Sequence, residues 1–150
     1  MKQIEVRTTS HRQMVDITAQ VKAAIEAPDG ICHVYVPHTT AAVVINEHAD
    51  PDVARDLVAA YEAMVPNIRF AHAEGNSDAH LMSTLLGGSV TVPVEHGHLQ
   101  LGTWQGIFFV ELDGSRTREV SIALVGFTAS RIDHHELIRP VEQTAVGVAS

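Results

Sequence analysis

Apolar and polar positions alternate along Ile4-Glu5-Val6-Arg7, the two-residue period of a half-buried strand, and the pattern continues toward Thr9. Met14–Thr18 follows a polar turn and is expected to pair with this first strand as a hairpin. From Thr18 the period lengthens: Val21, Ala24 and Ile25 share one face of a helix that Pro28-Asp29-Gly30 ends. Two apolar runs, Ile31–Val36 and Ala41–Ile45, then read as buried strands separated by the polar break Pro37-His38-Thr39-Thr40.

The clearest helix begins at Asp50-Pro51, an N-cap residue followed by a proline suited to the first helical position. Val53, Leu57, Tyr61 and Met64/Val65 recur on one face until Pro66 stops it. Arg69–Ala71 is a possible short strand. Ser77 is the expected N-cap of a further helix through Leu81, Met82, Leu85 and Leu86 to Gly87-Gly88. Strand patterns fill the rest: Ser89–Val94, a Glu95–His98 turn, Leu99–Gly102, Gly106–Leu112, an Asp113-Gly114 hairpin signal and Arg118–Thr128.

Strands outnumber helices and cluster after residue 88 with hairpin-length connections. The fold class is therefore α+β, with a largely antiparallel β-sheet or sandwich and two to three helices. One domain accounts for all 150 residues, with a core over about 2–128 and a C-terminal tail over about 131–150 that loses periodicity.

Charge narrows the partners. A formal net charge of −8 argues against nucleic acid and against an anionic membrane surface. Aromatic residues make up only 5% of the chain, too few for an extended base-stacking platform. No apolar run approaches the ~20 residues of a membrane span, and the N-terminus lacks a secretory apolar region, so a cytoplasmic location is expected. The single cysteine, Cys32, lies in an apolar strand and reads as a small buried hydrophobe.

Candidate chemistry concentrates in His72-Ala-Glu-Gly-Asn-Ser-Asp-Ala-His80, a segment with almost no apolar content. Gly75 lets the chain fold back, so that His72 and His80 can approach one point as metal ligands. Gly75, Asn76 and Ser77 would form a helix start suited to phosphate. The alternative is a polar loop with two surface histidines. Three further segments could contribute. His38 and Thr39 stand at a strand end, with His38 a metal ligand or catalytic group. Glu47 has no capping duty and is a candidate general base. Arg116 and Arg118 could clamp a phosphate or merely decorate a turn. Trp104, within Gly102-Thr-Trp-Gln-Gly106, either packs under its loop or faces a ligand. With no paired cysteines, any metal would take nitrogen and oxygen ligands, which suits zinc with an open position or another divalent ion such as magnesium.

Several of these segments, in this order, resemble the YjbQ-like family of small bacterial and archaeal proteins. The resemblance rests on His38-Thr-Thr-Ala41, Asn46-Glu47 with Asp50-Pro51, and His72…Glu74-Gly-Asn76 with Ala79-His80. It continues through Gly102-Thr-Trp-Gln105 and Glu111-x-Asp113-Gly114 with its following arginines. It implies a curved antiparallel sheet, a homotrimer and a secondary thiamine-phosphate synthase activity. That reaction joins a hydroxymethylpyrimidine pyrophosphate to a thiazole phosphate with loss of pyrophosphate. The expected site places His38, His72 and His80 on a divalent metal, with Glu47 and His38 catalytic. Gly75, Asn76, Ser77, Thr39 and Arg116 would bind the small phosphorylated substrate. The alternatives are a metal-dependent hydrolase with Glu47 as base, and a non-catalytic metal- or ligand-binding trimer.

Overall fold

The computed structural model describes residues 1–126. Eight strands and three helices run in the order β1 (Lys2–Arg7), β2 (Gln13–Asp16), α1 (Thr18–Ala23), β3 (Gly30–Tyr35), β4 (Ala41–Glu47), α2 (Pro51–Met64), α3 (Ser77–Leu86), β5 (Ser89–Glu95), β6 (His98–Leu99), β7 (Gln105–Glu111) and β8 (Thr117–Gly126). The strands form two antiparallel sheets. One has five strands in the order β1-β8-β3-β5-β6 and the other three in the order β2-β7-β4. The α+β expectation holds.

Alternation along β7 explains the layering. Ile107 and Phe109 join the apolar interior between the sheets, together with Val6, Val34, Val43, Val120 and Ile122. Val110 points the other way and packs with Ala42, Ala79 and Met82, so α3 covers the outer face of the three-stranded sheet. Each fully buried side chain of the Phe109 or Ile107 kind contributes about 1.5–3 kcal/mol. Helix α1 closes the sandwich edge with Val21. Cys32 is buried, as expected, and burial pushes its thiol up.

Local signals act where the sequence placed them. The Asp50 carboxylate accepts from the Asp52 amide at 2.9 Å, and Pro51 opens α2. Between β5 and β6, His96 (φ 50°) and Gly97 (φ 76°) are both left-handed, which matches the twist of a two-residue hairpin.

Four expectations are corrected. β1 and β2 are not a hairpin: β1 pairs with β8 and β2 with β7, in different sheets. Asp113-Gly114 likewise carries the chain from one sheet to the other instead of turning a hairpin. Both pairs satisfy a local turn pattern, but each strand is apolar on a face that only a non-local partner covers. Arg69–Ala71 forms no strand. The N-cap of α3 is Asn76, with Ser77 the first helical residue. The tail over 131–150 and the end of the last strand at 127–128 lie outside the described residues.

Candidate functional site

At one end the sandwich interior stops being apolar. Arg118 of β8 and Glu111 of β7 lie in phase with the inward-facing residues of their strands and meet there. The Arg118 Nε donates to Glu111 Oε2 at 2.9 Å and its Nη2 to Oε1 at 2.6 Å, with both side chains buried. Glu111 Oε1 also accepts from the Leu112 and Asp113 amides at 3.1 Å each, and Oε2 from the Thr8 hydroxyl at 3.3 Å. Arg118 Nη2 donates to the Thr40 hydroxyl at 2.9 Å. Burial pushes the Glu111 carboxyl up. The Arg118 guanidinium and the two amides outweigh it and hold the group below the ordinary carboxylate range. This pair plugs the sandwich and fixes the turn beyond it.

That turn places Asp113 against the start of α3. Asp113 Oδ2 accepts from Asn76 Nδ2 at 3.1 Å and from Arg116 Nη2 at 3.2 Å. Asn76 therefore spends its side chain on Asp113 and makes no capping bond to α3. Its Oδ1 is buried and has no partner among the described residues. The amides of Ser77 and Asp78 precede the first helical acceptor, which Asn76 O supplies to Ala79 and His80. On the same helix start, the His80 ring meets the His72 ring edge to face, with centroids 5.4 Å apart. Arg12 pairs with Asp78 and lies 3.8 Å from Glu62, tying β2's approach to α2 and α3.

The structure thus brings together His72, His80, Asn76 and Ser77, and sets Arg116 beside them through Asp113. Gly75 (φ 78°) makes the left-handed turn that lets His72 return. It does not gather the other expected residues within one chain. His38 Nε2 lies 3.1 Å from the Glu119 carbonyl and 3.2 Å from its amide, a strand-edge contact. Among the described residues no three histidine, cysteine, aspartate or glutamate side chains stand close enough to hold one metal. The His38–His72–His80 set is therefore not assembled by this chain alone. Glu47 ends β4 opposite Gln105, whereas Ala41 begins it opposite Glu111. About 20 Å of strand separates the two ends. Thr39 is exposed, and its neighbour Thr40 is the hydroxyl that the buried network uses. Trp104 is 63% exposed, so it does not pack under its loop.

Sequence reading missed Glu111 as part of the site. A lone carboxylate within the apolar run Ile107–Leu112 was the available signal, because such a group must meet a cation inside. It also missed the bond between His48 Nδ1 and Asp16 Oδ2 at 3.1 Å, near the other end of β4. Asp16 Oδ1 further accepts from the Thr18 amide at 2.8 Å and the Thr18 hydroxyl at 2.5 Å. Burial raises the Asp16 carboxyl, while Thr18 and His48 together pull it below its usual range.

No helix among the described residues is long and apolar enough to cross a membrane. The chain matches the family model described as UPF0047 protein YjbQ-like over residues 2–127. A UPF0047 protein of Methanocaldococcus jannaschii is 46% identical over 126 residues, covering 81% of this chain and 91% of that protein. YugU of Bacillus subtilis is 43% identical over 131 residues, covering 84% and 99%. A crystal structure of a YjbQ/UPF0047-family protein from Clostridium acetobutylicum superposes with a TM-score of 0.80 at 42% identity, covering 83% of this chain and all of that one.

Proposed function

The chain belongs to the UPF0047 YjbQ-like family, and we propose that it is an enzyme acting on a small phosphorylated molecule at the start of α3. The reaction class we assign is that of a thiamine-phosphate synthase. A pyrimidine methylene carbon loses its bond to pyrophosphate and gains one to the thiazole nitrogen, so pyrophosphate leaves with the bonding electrons.

The observation that carries this reading is the His72–His80 pair. With a Zn–N distance of about 2.1 Å and a ring centroid about 1.1 Å beyond each nitrogen, two imidazoles on one tetrahedral ion have centroids about 5.2 Å apart. The rings stand 5.4 Å apart. The separation is compatible with two nitrogen ligands of one divalent ion, and between zinc and magnesium the imidazoles favour zinc. Asn76 stands four residues before His80 at the same helix start, with its side chain turned to Asp113. Such an ion supplies positive charge for a departing pyrophosphate.

The chain's own residues would do the rest. The uncapped amides of Ser77 and Asp78 would face a phosphate at the helix start. Arg116, half exposed and held by one nitrogen on Asp113, has further donors for a second phosphate. His38 and Glu47, which do not reach the His72–His80 pair within one chain, would enter from neighbouring copies of a homotrimer.

The test is formation of thiamine phosphate from hydroxymethylpyrimidine pyrophosphate and thiazole phosphate. The account expects product from the wild type and about 10²-fold or greater loss in His72→Ala/His80→Ala. Inorganic phosphate released from simple phosphoesters, with no coupled product, would replace this reading by the hydrolase.

A further inference from the structure

Helix α2 fully buries none of its residues, and an apolar groove of 490 Å³ opens between its first half and strand β2. Phe108, buried in β7, and Met14, half-buried in β2, form the floor, and Ala54 and Val58 form the helix wall. Asp16 and Asp50 also line the groove, and both are exposed, so their carboxylates stand at its rim. The volume falls within the about 300–1,000 Å³ typical of small-molecule sites. None of His72, Asn76 or His80 lines it, so the groove is separate from the site at the start of α3.

Charge selects the occupant. Two guanidiniums line the groove, and carboxylates already hold both of them. Arg12 pairs with Asp78 and lies 3.8 Å from Glu62, and Arg55 pairs with Asp52. With Asp16 and Asp50, five carboxylates stand against these two cations. A protonated His48, 3.1 Å from Asp16 Oδ2, would bring the cations to three and still leave two carboxylates in excess. Asp50 spends only Oδ1 on the fold, accepting from the Asp52 amide at 2.9 Å. A carboxylate offers about four lone-pair sites, so Asp50 keeps acceptor capacity at the rim.

The groove is thus negative where it meets water and apolar where it does not. Such a surface attracts a cation and repels an anion, and a neutral molecule gains from its floor alone. We infer that this groove binds a small organic cation with an apolar body. The ammonium group stays at the mouth beside Asp50 and Asp16, and the hydrocarbon displaces water from Phe108, Met14 and Val58. This orientation keeps the charge partly hydrated, so it avoids the cost of full desolvation.

The probe is 4-phenylbutan-1-amine, titrated against the full chain at about 0.01 M ionic strength and followed by amide chemical shifts. Saturable binding is expected, with shifts at Val58 and Phe108. The neutral 4-phenylbutan-1-ol should bind about fivefold more weakly, the loss of a partly exposed charge pairing. The anion 4-phenylbutanoate should bind more weakly still. At about 1 M salt the amine should lose most of its advantage over the alcohol, because surface charges are then screened. Asp50→Asn keeps a helix-capping side chain, so the fold should hold while affinity for the amine falls about threefold and that for the alcohol stays unchanged. Val58→Phe fills the groove and should remove binding, and Ala54→Leu serves the same purpose if that variant does not fold. No saturable binding of the amine, an alcohol or anion that binds as tightly at low salt, an amine affinity unmoved by Asp50→Asn, or indifference to filling the groove would each overturn the inference.

Discussion

Replacing Arg118 by methionine removes the cation from a buried carboxylate and keeps most of the side-chain volume. Glu111 is fully buried and Arg118 nearly so, and two Arg118 hydrogen bonds, at 2.6 and 2.9 Å, are lost together. Breaking a buried pair from one side costs about 3–5 kcal/mol, because the remaining charge stays out of water. With a urea dependence of about 2 kcal/mol per molar, the unfolding midpoint should fall by about 2 M. The loss should depend on pH. In the wild type Glu111 sits below its ordinary range, so its contribution is present above the unfolded value and is lost as pH falls through the folded one. In Arg118→Met the Leu112 and Asp113 amides remain but the guanidinium no longer offsets burial, so the Glu111 carboxyl rises relative to the wild type and the variant recovers as the acid form takes over. The gap between the two proteins should therefore be widest near neutral pH and narrow toward about pH 4. Glu111→Gln/Arg118→Met removes both charges and keeps an oxygen for the Leu112 and Asp113 amides, so it should be more stable than Arg118→Met alone. A loss under about 1 kcal/mol in the single variant, or a double variant no better than the single, would refute the stranded-charge argument.

Asp50→Ala removes the cap of α2 and should cost about 1 kcal/mol, read as faster amide exchange in the first turn of that helix. A Cβ on Gly106 would stand 2.7 Å from His48 Cβ and Cγ and 2.9 Å from Thr18 Oγ1. Gly106→Ala should accordingly lose about 1–3 kcal/mol by calorimetry and displace the His48 ring resonances. Asp16 is held below its ordinary range, so it stabilises the fold above its unfolded value and ceases to do so as pH falls through the folded one. Asp16→Asn should flatten the acid side of a stability–pH profile, while an unchanged slope would mean that Thr18 and His48 do not stabilise the charged form.

Much of the fold was legible because the local signals were strong and consistent. Asp50-Pro51 and Pro66 bracket α2, the apolar run Ile31–Val36 marks β3, and Gly97 marks the tight turn before β6. Sheet membership was not legible. The turns after β1 and after β7 resemble hairpin connections, yet both carry the chain across the sandwich, and only contacts far apart in sequence decide that. The same limit shaped the site. His72 and His80 lie eight positions apart around Gly75, so their approach was readable. The distance between His38 and Glu47 follows from β4 being a fully extended strand between them, and Glu111 was hidden because its partner, Arg118, belongs to the other sheet. Family resemblance marked these segments without saying which of them meet within one chain.

The central claim is that His72 and His80 hold one divalent ion at the start of α3. Calorimetric titration of Zn²⁺ and Mg²⁺ into the wild type and into folded His72→Ala/His80→Ala tests it most directly. The account predicts saturable binding of at least one of the two ions in the wild type, lost in the double variant. No saturable binding in the wild type, or unchanged affinity and stoichiometry in the variant, would contradict it.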